Sequence, residues 1–322
     1  MLFSQNARVA YIGDSITHTA PTTNYIQEYY WKHLRARHVK VFNLGTGGDT
    51  AEGALSRLET DILRVRPTEA VIMLGTNDIK SVLYGKNPSE EEHAEAEALA
   101  ARHLAAMDKL VHFLHERGIQ VTLCSSIGRD ELSPQKEVGD GFRSYGATAR
   151  LAALYRENCR ALSGILKGTV DYLTPMQTLQ TELLAIGGPS LFTPDRTHAS
   201  ALGQRLMARI FLAAQGLPAS LPSAEMLAAG WQEAALSQKI AERHGVEQIL
   251  RNIRWVDPHQ AAETAGLDLE GRIAYWTRAV EERRGLAQHD WAVSLYREYL
   301  KNVRNEQEIV ARLEAMTDAL YE

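Results

Sequence analysis

Short apolar and β-prone runs recur along the N-terminal part of the chain, at Val9–Ile12, Val39–Leu44, Ala70–Leu74, Ile119–Cys124 and Thr169–Leu173. Each reads as a strand, and helix-like stretches separate them, so the alternation predicts a five-stranded parallel sheet with crossover helices. Between the second and third runs, Ala51, Ala54, Leu55, Leu58 and Ile62 recur at spacings of three and four. That is the apolar stripe of a helix, with Asp49 or Thr50 as its cap. Glu90–Arg117 is amphipathic in the same way, and Gly118 stops it. Its acidic opening, Ser89-Glu90-Glu91-Glu92, suits the positive end of a helix dipole and reads as a solvated first turn rather than a binding site. A last helix, Ala199–Gln215, follows the loop Gly187–His198, and Gly216-Leu217-Pro218 breaks the pattern.

Beyond Leu217 the strand signal fades. Four of the five tryptophans, Trp231, Trp255, Trp276 and Trp291, fall among charged helical periods such as Ile273, Trp276, Ala279 and Val280. The pattern predicts an α/β domain over residues 1–216 and a helical C-terminal extension over 217–322. Aromatics at helical spacing read as core, packing on the α/β body or on a second subunit, so a homo-oligomer through the extension is an expectation.

Composition narrows the class. The chain has 322 residues, 45% hydrophobic and 23% charged, ordinary for a soluble globular protein with room for one large or two modest domains. A net charge of −5 and a pI near 6.1 argue against a nucleic-acid partner, because phosphate contacts need clustered Lys and Arg. Cys124 and Cys159 are isolated and in no metal or redox spacing, so they read as reduced core thiols. Residues Met1–Arg8 lack a basic segment followed by a long apolar one, and no run approaches 18 apolar residues. The expectation is a cytoplasmic protein without membrane insertion.

The first three runs end in short polar, glycine-rich segments: Gly13-Asp14-Ser15-Ile16-Thr17, Asn43–Thr50, and Gly75-Thr76-Asn77-Asp78. In open α/β sheets ligands bind outside the carboxyl ends of strands, which places these segments together at one edge. Asp195-Arg196-Thr197-His198 adds a carboxylate and an imidazole three residues apart before a helix. Ester cleavage by a serine needs a base, a carboxylate to fix that base's tautomer, and donors for the oxyanion. Ser15 as nucleophile, His198 as base and Asp195 as the carboxylate are the residue types for the first roles. The Ser15 and Gly48 amides and the Asn77 side chain are candidate oxyanion donors. Structural readings stand beside these: Asn77 and Asp78 shaping a turn, Gly48 serving close packing, Asp195 capping the following helix.

Taken together, the four segments resemble the signature blocks of the SGNH hydrolases, also called the GDSL esterase/lipase superfamily. Gly13-Asp14-Ser15 resembles the nucleophile block, Gly48 the glycine block, Gly75–Asp78 the asparagine block and Asp195–His198 the Asp-x-x-His block. The resemblance covers about residues 7–215. It implies a flavodoxin-like three-layer α/β/α sandwich, a shallow solvent-open site and no metal or organic cofactor. It implies Ser15, Asp195 and His198 as catalytic residues, and Ser15, Gly48 and Asn77 as the oxyanion hole.

Three residues around Ser15 remain. Ile16 stands where the superfamily has Leu, a volume-conserving exchange. His18, three residues after Ser15, is a substrate contact or a competing base, and Asp14 a further candidate contact; His33, His38, His93 and His112 are expected to face solvent. A phosphate-binding reading of Gly45-Thr46-Gly47-Gly48 fits poorly, since position 50 is Thr and Asp49 opposes an anion. A noncatalytic scaffold would not need Ser15, Asn77, Asp195 and His198. The expected substrate is a short acyl ester, acetyl above all, of a carbohydrate or other polar alcohol, with a lysophospholipase, lipase or thioesterase as the alternative.

Overall fold

Val9, Ala10, Tyr11 and Ile12 are all buried, so β1 (Arg8–Gly13) has no solvent face. The computed structural model describes residues 2–18, 21–59, 61–134, 142–231, 234–254, 267–282, 300–301 and 304–322. The sheet continues with β2 (Lys40–Gly45), β3 (Glu69–Met73), β4 (Gln120–Cys124) and β5 (Leu166–Val170), in the order β2-β1-β3-β4-β5. Every neighbouring pair is parallel. Strands covered on both faces carry unbroken apolar runs, which is why the sequence shows runs rather than alternation.

Helices cover both faces. On one, α2 (Thr22–His33), α6 (Leu173–Ala185) and α7 (Ala201–Ala214) meet the sheet, where Ile26, Tyr30, Met176, Phe211, Val9, Tyr11 and Val71 share one core. The other carries α3 (Ala51–Ser56), α4 (Glu90–Glu116) and α5 (Ala147–Ala161), packed in sequence order. A short α1 (Ser15–His18) follows β1 directly. This is the expected flavodoxin-like three-layer sandwich. The Ser89 hydroxyl and the Glu92 side chain form a reciprocal capping box at the start of α4, as its acidic opening suggested.

Two elements depart from expectation. The stripe read through Ile62 is a helix only to Ser56, capped by Thr50 accepting from the Gly53 amide; the chain then turns and resumes as a 3-10 turn at Ile62–Val65. Arg57 sits at that turn, with its guanidinium donating to Asp49, Asp61 and the Leu44 carbonyl. The fifth strand ends at Val170 rather than Leu173. Asp171 accepts from the Thr174 amide at 3.1 Å and its hydroxyl at 2.6 Å, a side-chain turn that starts α6 at once.

The chain divides into two compact units, Met1–Leu236 and Ser237–Glu322. The sequence set this division at 216/217. Residues past Gly216 keep packing on the α/β body: Ala219, Ala224 and Leu227 are buried in the core containing α6 and α7, and α8 (Ala224–Ala228) forms there. Trp231 packs against that core, and the Arg209 guanidinium lies 5.5 Å from its ring centre.

In the second unit, α9 (Gln238–Arg254) and α11 (Glu306–Asp318) pack together around buried Ile240, Leu250 and Leu313, and Arg243 donates to the Thr317 hydroxyl at 2.8 Å. Between them in the sequence comes α10 (Leu269–Glu282), which includes Trp276; Trp255 and Trp291 lie outside the described residues. Among the described residues, no helix is long and apolar enough to cross a membrane.

Candidate active site

In register, Gly13 of β1 pairs with Gly45 of β2 and Met73 of β3, so the segments after these residues emerge side by side. The approach is too close for side chains: a Cβ on Gly45 would stand 2.4 Å from the His18 amide nitrogen. Asn43 locks the junction by donating its amide to the Thr17 carbonyl at 2.7 Å. Ser15 thus opens α1 above the sheet edge.

Its partner comes from the far end of the α/β domain. Residues 192–199 form a tight loop closed by an antiparallel bridge between Phe192 and Ala199 and by the Thr193 amide donating to the His198 carbonyl at 2.8 Å. Arg196 takes a left-handed backbone at φ 63°, an uncommon conformation for a residue with a side chain. Its buried guanidinium holds it there by donating to the Asp130 and Ser133 carbonyls. The loop presents His198 so that Nε2 lies 2.7 Å from Ser15 Oγ and Nδ1 2.5 Å from Asp195 Oδ2. Asp195 does not cap the next helix; Ser200 does, accepting from the Gly203 amide.

The Asp195 carboxylate is half-exposed and strongly hydrogen-bonded. Partial burial raises its pKa, but the His198 and Thr197 amides, the His198 ring and the Thr193 hydroxyl outweigh this and bring it down to about 2. It is therefore a carboxylate at any pH where an esterase works, and it aligns the ring in the tautomer that leaves Nε2 free to accept a proton.

The candidate oxyanion donors lie on the loops that follow β2 and β3, the two strands beside β1. Gly48 has φ 75°, the left-handed region that favours glycine, and among the described residues its N–H has no hydrogen-bond partner. Asn77 donates one Nδ2 hydrogen to the Asp49 carbonyl at 2.9 Å, which orients the amide and leaves its second hydrogen available. The structure therefore brings Ser15, His198 and Asp195 into one chain of contacts, with Gly48 and Asn77 on the adjoining loops.

His18 is turned elsewhere, donating Nδ1–H to the Gly45 carbonyl at 3.0 Å. Asp14 is buried, and its Oδ1 accepts from the Ile16 amide at 2.9 Å. Burial drives its carboxyl up to about 7; the Ile16 hydrogen bond opposes this, while nearby Asp78 and Asp49 add to it. His33, His38, His93 and His112 are all exposed. Cys124 and Cys159 are free thiols. Among the described residues, no group of three or more His, Cys, Asp or Glu side chains is arranged to hold a metal ion.

Sequence reasoning did not single out Arg129 and His103. Arg129 Nη1 donates to the Thr197 hydroxyl at 2.5 Å, bracing the loop that carries His198. It follows β4 in a stretch without a family-like block, so only its position just past a strand end marked it. His103 lies on α4 beneath the asparagine segment and is buried. As one histidine on a helical apolar face, it carried no distinguishing signal.

A parallel three-layer fold with a serine, a histidine and a carboxylate joined at its carboxyl edge is the architecture of an ester hydrolase. The sequence matches the GDSL-like Lipase/Acylhydrolase family over residues 11–206, more than half of the chain, and the protein belongs to that family of enzymes. Among solved structures, a gut microbial diltiazem-metabolizing enzyme shares the fold over 99% of this chain and 95% of its own, at 16% identity and a TM-score of 0.78. The acetyl xylan esterase AlAXEase aligns over 64% of this chain and 98% of its own, at 18% identity and a TM-score of 0.51. No curated protein matches the chain.

Proposed function

We propose that the protein is a serine carboxylic-ester hydrolase acting through Ser15, His198 and Asp195 on short-chain esters, acetyl above all, of a carbohydrate or other polar alcohol. The observation that carries the reading is the unbroken contact from Ser15 Oγ through the His198 ring to Asp195. Ser15 Oγ attacks the acyl carbon as His198 Nε2 takes its proton, and the carbonyl oxygen becomes an oxyanion facing the Ser15 and Gly48 amides and the Asn77 side chain. Collapse of the adduct breaks the ester C–O bond, and His198 returns the proton to the leaving alkoxide. Water then enters by the reverse sequence, with His198 as base, and frees the acid and Ser15.

Stoichiometric labelling by a fluorophosphonate, abolished by Ser15→Ala, is the expected result. A folded wild-type protein that takes no label rejects the reading. For the acyl group, p-nitrophenyl acetate should turn over much faster than the octanoate. Acetylated xylan is the first polysaccharide to test, because the acetyl xylan esterase of like fold is named for that substrate.

One observation favours a longer-chain lipase or thioesterase reading. Val82, Leu132, Phe142 and Tyr145 are large apolar side chains left exposed on the loops after β3 and β4, which the Tyr145 amide joins by donating to the Tyr84 carbonyl. Faster cleavage of the octanoate selects that alternative.

A further inference from the structure

Beneath the proposed oxyanion loops lies a string of buried polar groups that no step above uses. Asn158 Nδ2, on α5, donates to His103 Nε2 at 3.1 Å. A ring nitrogen that accepts from an amide carries no proton, so in the neutral ring the proton sits on Nδ1. That nitrogen lies 3.0 Å from Asp78 Oδ1, and the two side chains are only 2% and 5% exposed. The same oxygen, Asp78 Oδ1, accepts the Ala51 amide at 2.9 Å, at the first residue of α3. Three residues before Ala51 stands Gly48, and Asn77 next to Asp78 donates to the Asp49 carbonyl. The Gly48–Ala51 turn is thus held at Asp49 by Asn77 and at Ala51 by Asp78. His103 backs the assembly from below, its ring carbon 3.6 Å from where a Gly75 Cβ would stand.

We propose that His103 is a positioning residue of the esterase: with Nε2 occupied by Asn158, its Nδ1–H steadies the Asp78 carboxylate that anchors Ala51, and so fixes the separation of the Gly48 and Asn77 donors. The contact is a bent one. Nδ1 and Asp78 Oδ1 are within ion-pair reach, yet among the described residues neither His103 Nδ1 nor Asp78 Oδ2 completes a hydrogen bond of good geometry. The attraction is therefore mainly electrostatic, and in so dry a place it is little screened by water. A neutral histidine with the opposite tautomer would set a ring lone pair against the carboxylate, which removes the hold on Asp78.

The inference rests on the oxyanion assignment of Gly48 and Asn77, and the experiment separates the two. Outer-shell partners that orient a site are worth roughly 10–100-fold, so His103→Ala should lower kcat on p-nitrophenyl acetate by about 10-fold, with KM within about two-fold of wild type. His103→Gln keeps an amide donor near Asp78 and should recover most of that loss. Added to Asp78→Asn, His103→Ala should cost little more, because the two act through one contact. Nitrogen NMR of the wild-type imidazole, which needs no variant to fold, should find the His103 proton on Nδ1. Unchanged kcat in both folded His103 variants, or a neutral ring with its proton on Nε2, overturns the proposal. Full activity in Ser15→Ala instead overturns the esterase reading, and the NMR result still judges the His103 contact.

Discussion

His198 Nε2 lies 2.7 Å from Ser15 Oγ although 183 positions separate the two residues. The contact depends on the 192–199 loop, which the buried Arg196 and the Arg129–Thr197 hydrogen bond hold in place. His198→Ala removes the proposed base and leaves that scaffold intact. We expect kcat on p-nitrophenyl acetate to fall by on the order of 10³-fold or more with the Tm almost unchanged, since oxyanion stabilisation persists without the base. A variant with near-full activity transfers the role to His18 or discards the triad.

Asn77→Ala tests the proposed oxyanion hole from the other side. Losing one donor of this kind costs about 10²–10³-fold in kcat, with substrate binding little changed. The substitution also frees the Asp49 carbonyl that Asn77 holds at 2.9 Å. Asn77→Asp, which keeps the shape and loses both N–H donors, should therefore be no more active. Steady-state kinetics on the two variants decide it: an effect confined to KM rejects the oxyanion role.

The parallel five-stranded sheet and the convergence of the four candidate segments were legible because strand ends must converge in a parallel α/β fold. Ser15, Gly48, Asn77, Asp195 and His198 are each a short walk from a predicted strand end or helix start. What stayed hidden was set by contacts across long separations. Arg57 interrupts the stripe from Ala51 to Ile62 by reaching Asp49, Asp61 and Leu44 together, and apolar spacing alone carries no trace of such a tether. His103 reads from sequence like His93 or His112 on the same helix, yet its place over Asn158 and Asp78 buries it while the other two stay exposed.

Asp14 makes stability depend on pH. Its folded-state pKa of about 7 stands above the ordinary aspartate value, so the native state holds a proton that the unfolded chain has released. Across the window from about pH 4 to 7, the native state binds more protons than the unfolded state, and stability falls as pH rises. Above about pH 7 the full cost of the buried charge is present. Asp14→Asn keeps an acceptor for the Ile16 amide and removes that charge. Denaturant titrations should show the variant more stable than wild type at pH 8, with the gap closing toward pH 5. A gap that is the same at both values rejects the buried ionisation. Asp195 acts in the opposite sense: its pKa of about 2 contributes stability above the ordinary aspartate range that is lost as pH falls from about 4 toward 2, below this window.

Where the chain is cut should matter more than how much is removed. Ala219, Ala224 and Leu227 are buried against the α6 and α7 face, and Trp231 packs beside them under Arg209. Ending the chain at Gly216 strips that face. Each large apolar side chain lost from such a core costs roughly 1.5–3 kcal/mol, against a total stability of about 5–15 kcal/mol for a domain. The 1–216 fragment should therefore aggregate or melt well below the full chain. Ending at Leu236 keeps the first compact unit whole, and that fragment should stay soluble and unfold in one cooperative transition by circular dichroism. If the 1–216 fragment matches the 1–236 fragment in solubility and Tm, the packing of residues 217–231 contributes nothing to the α/β body.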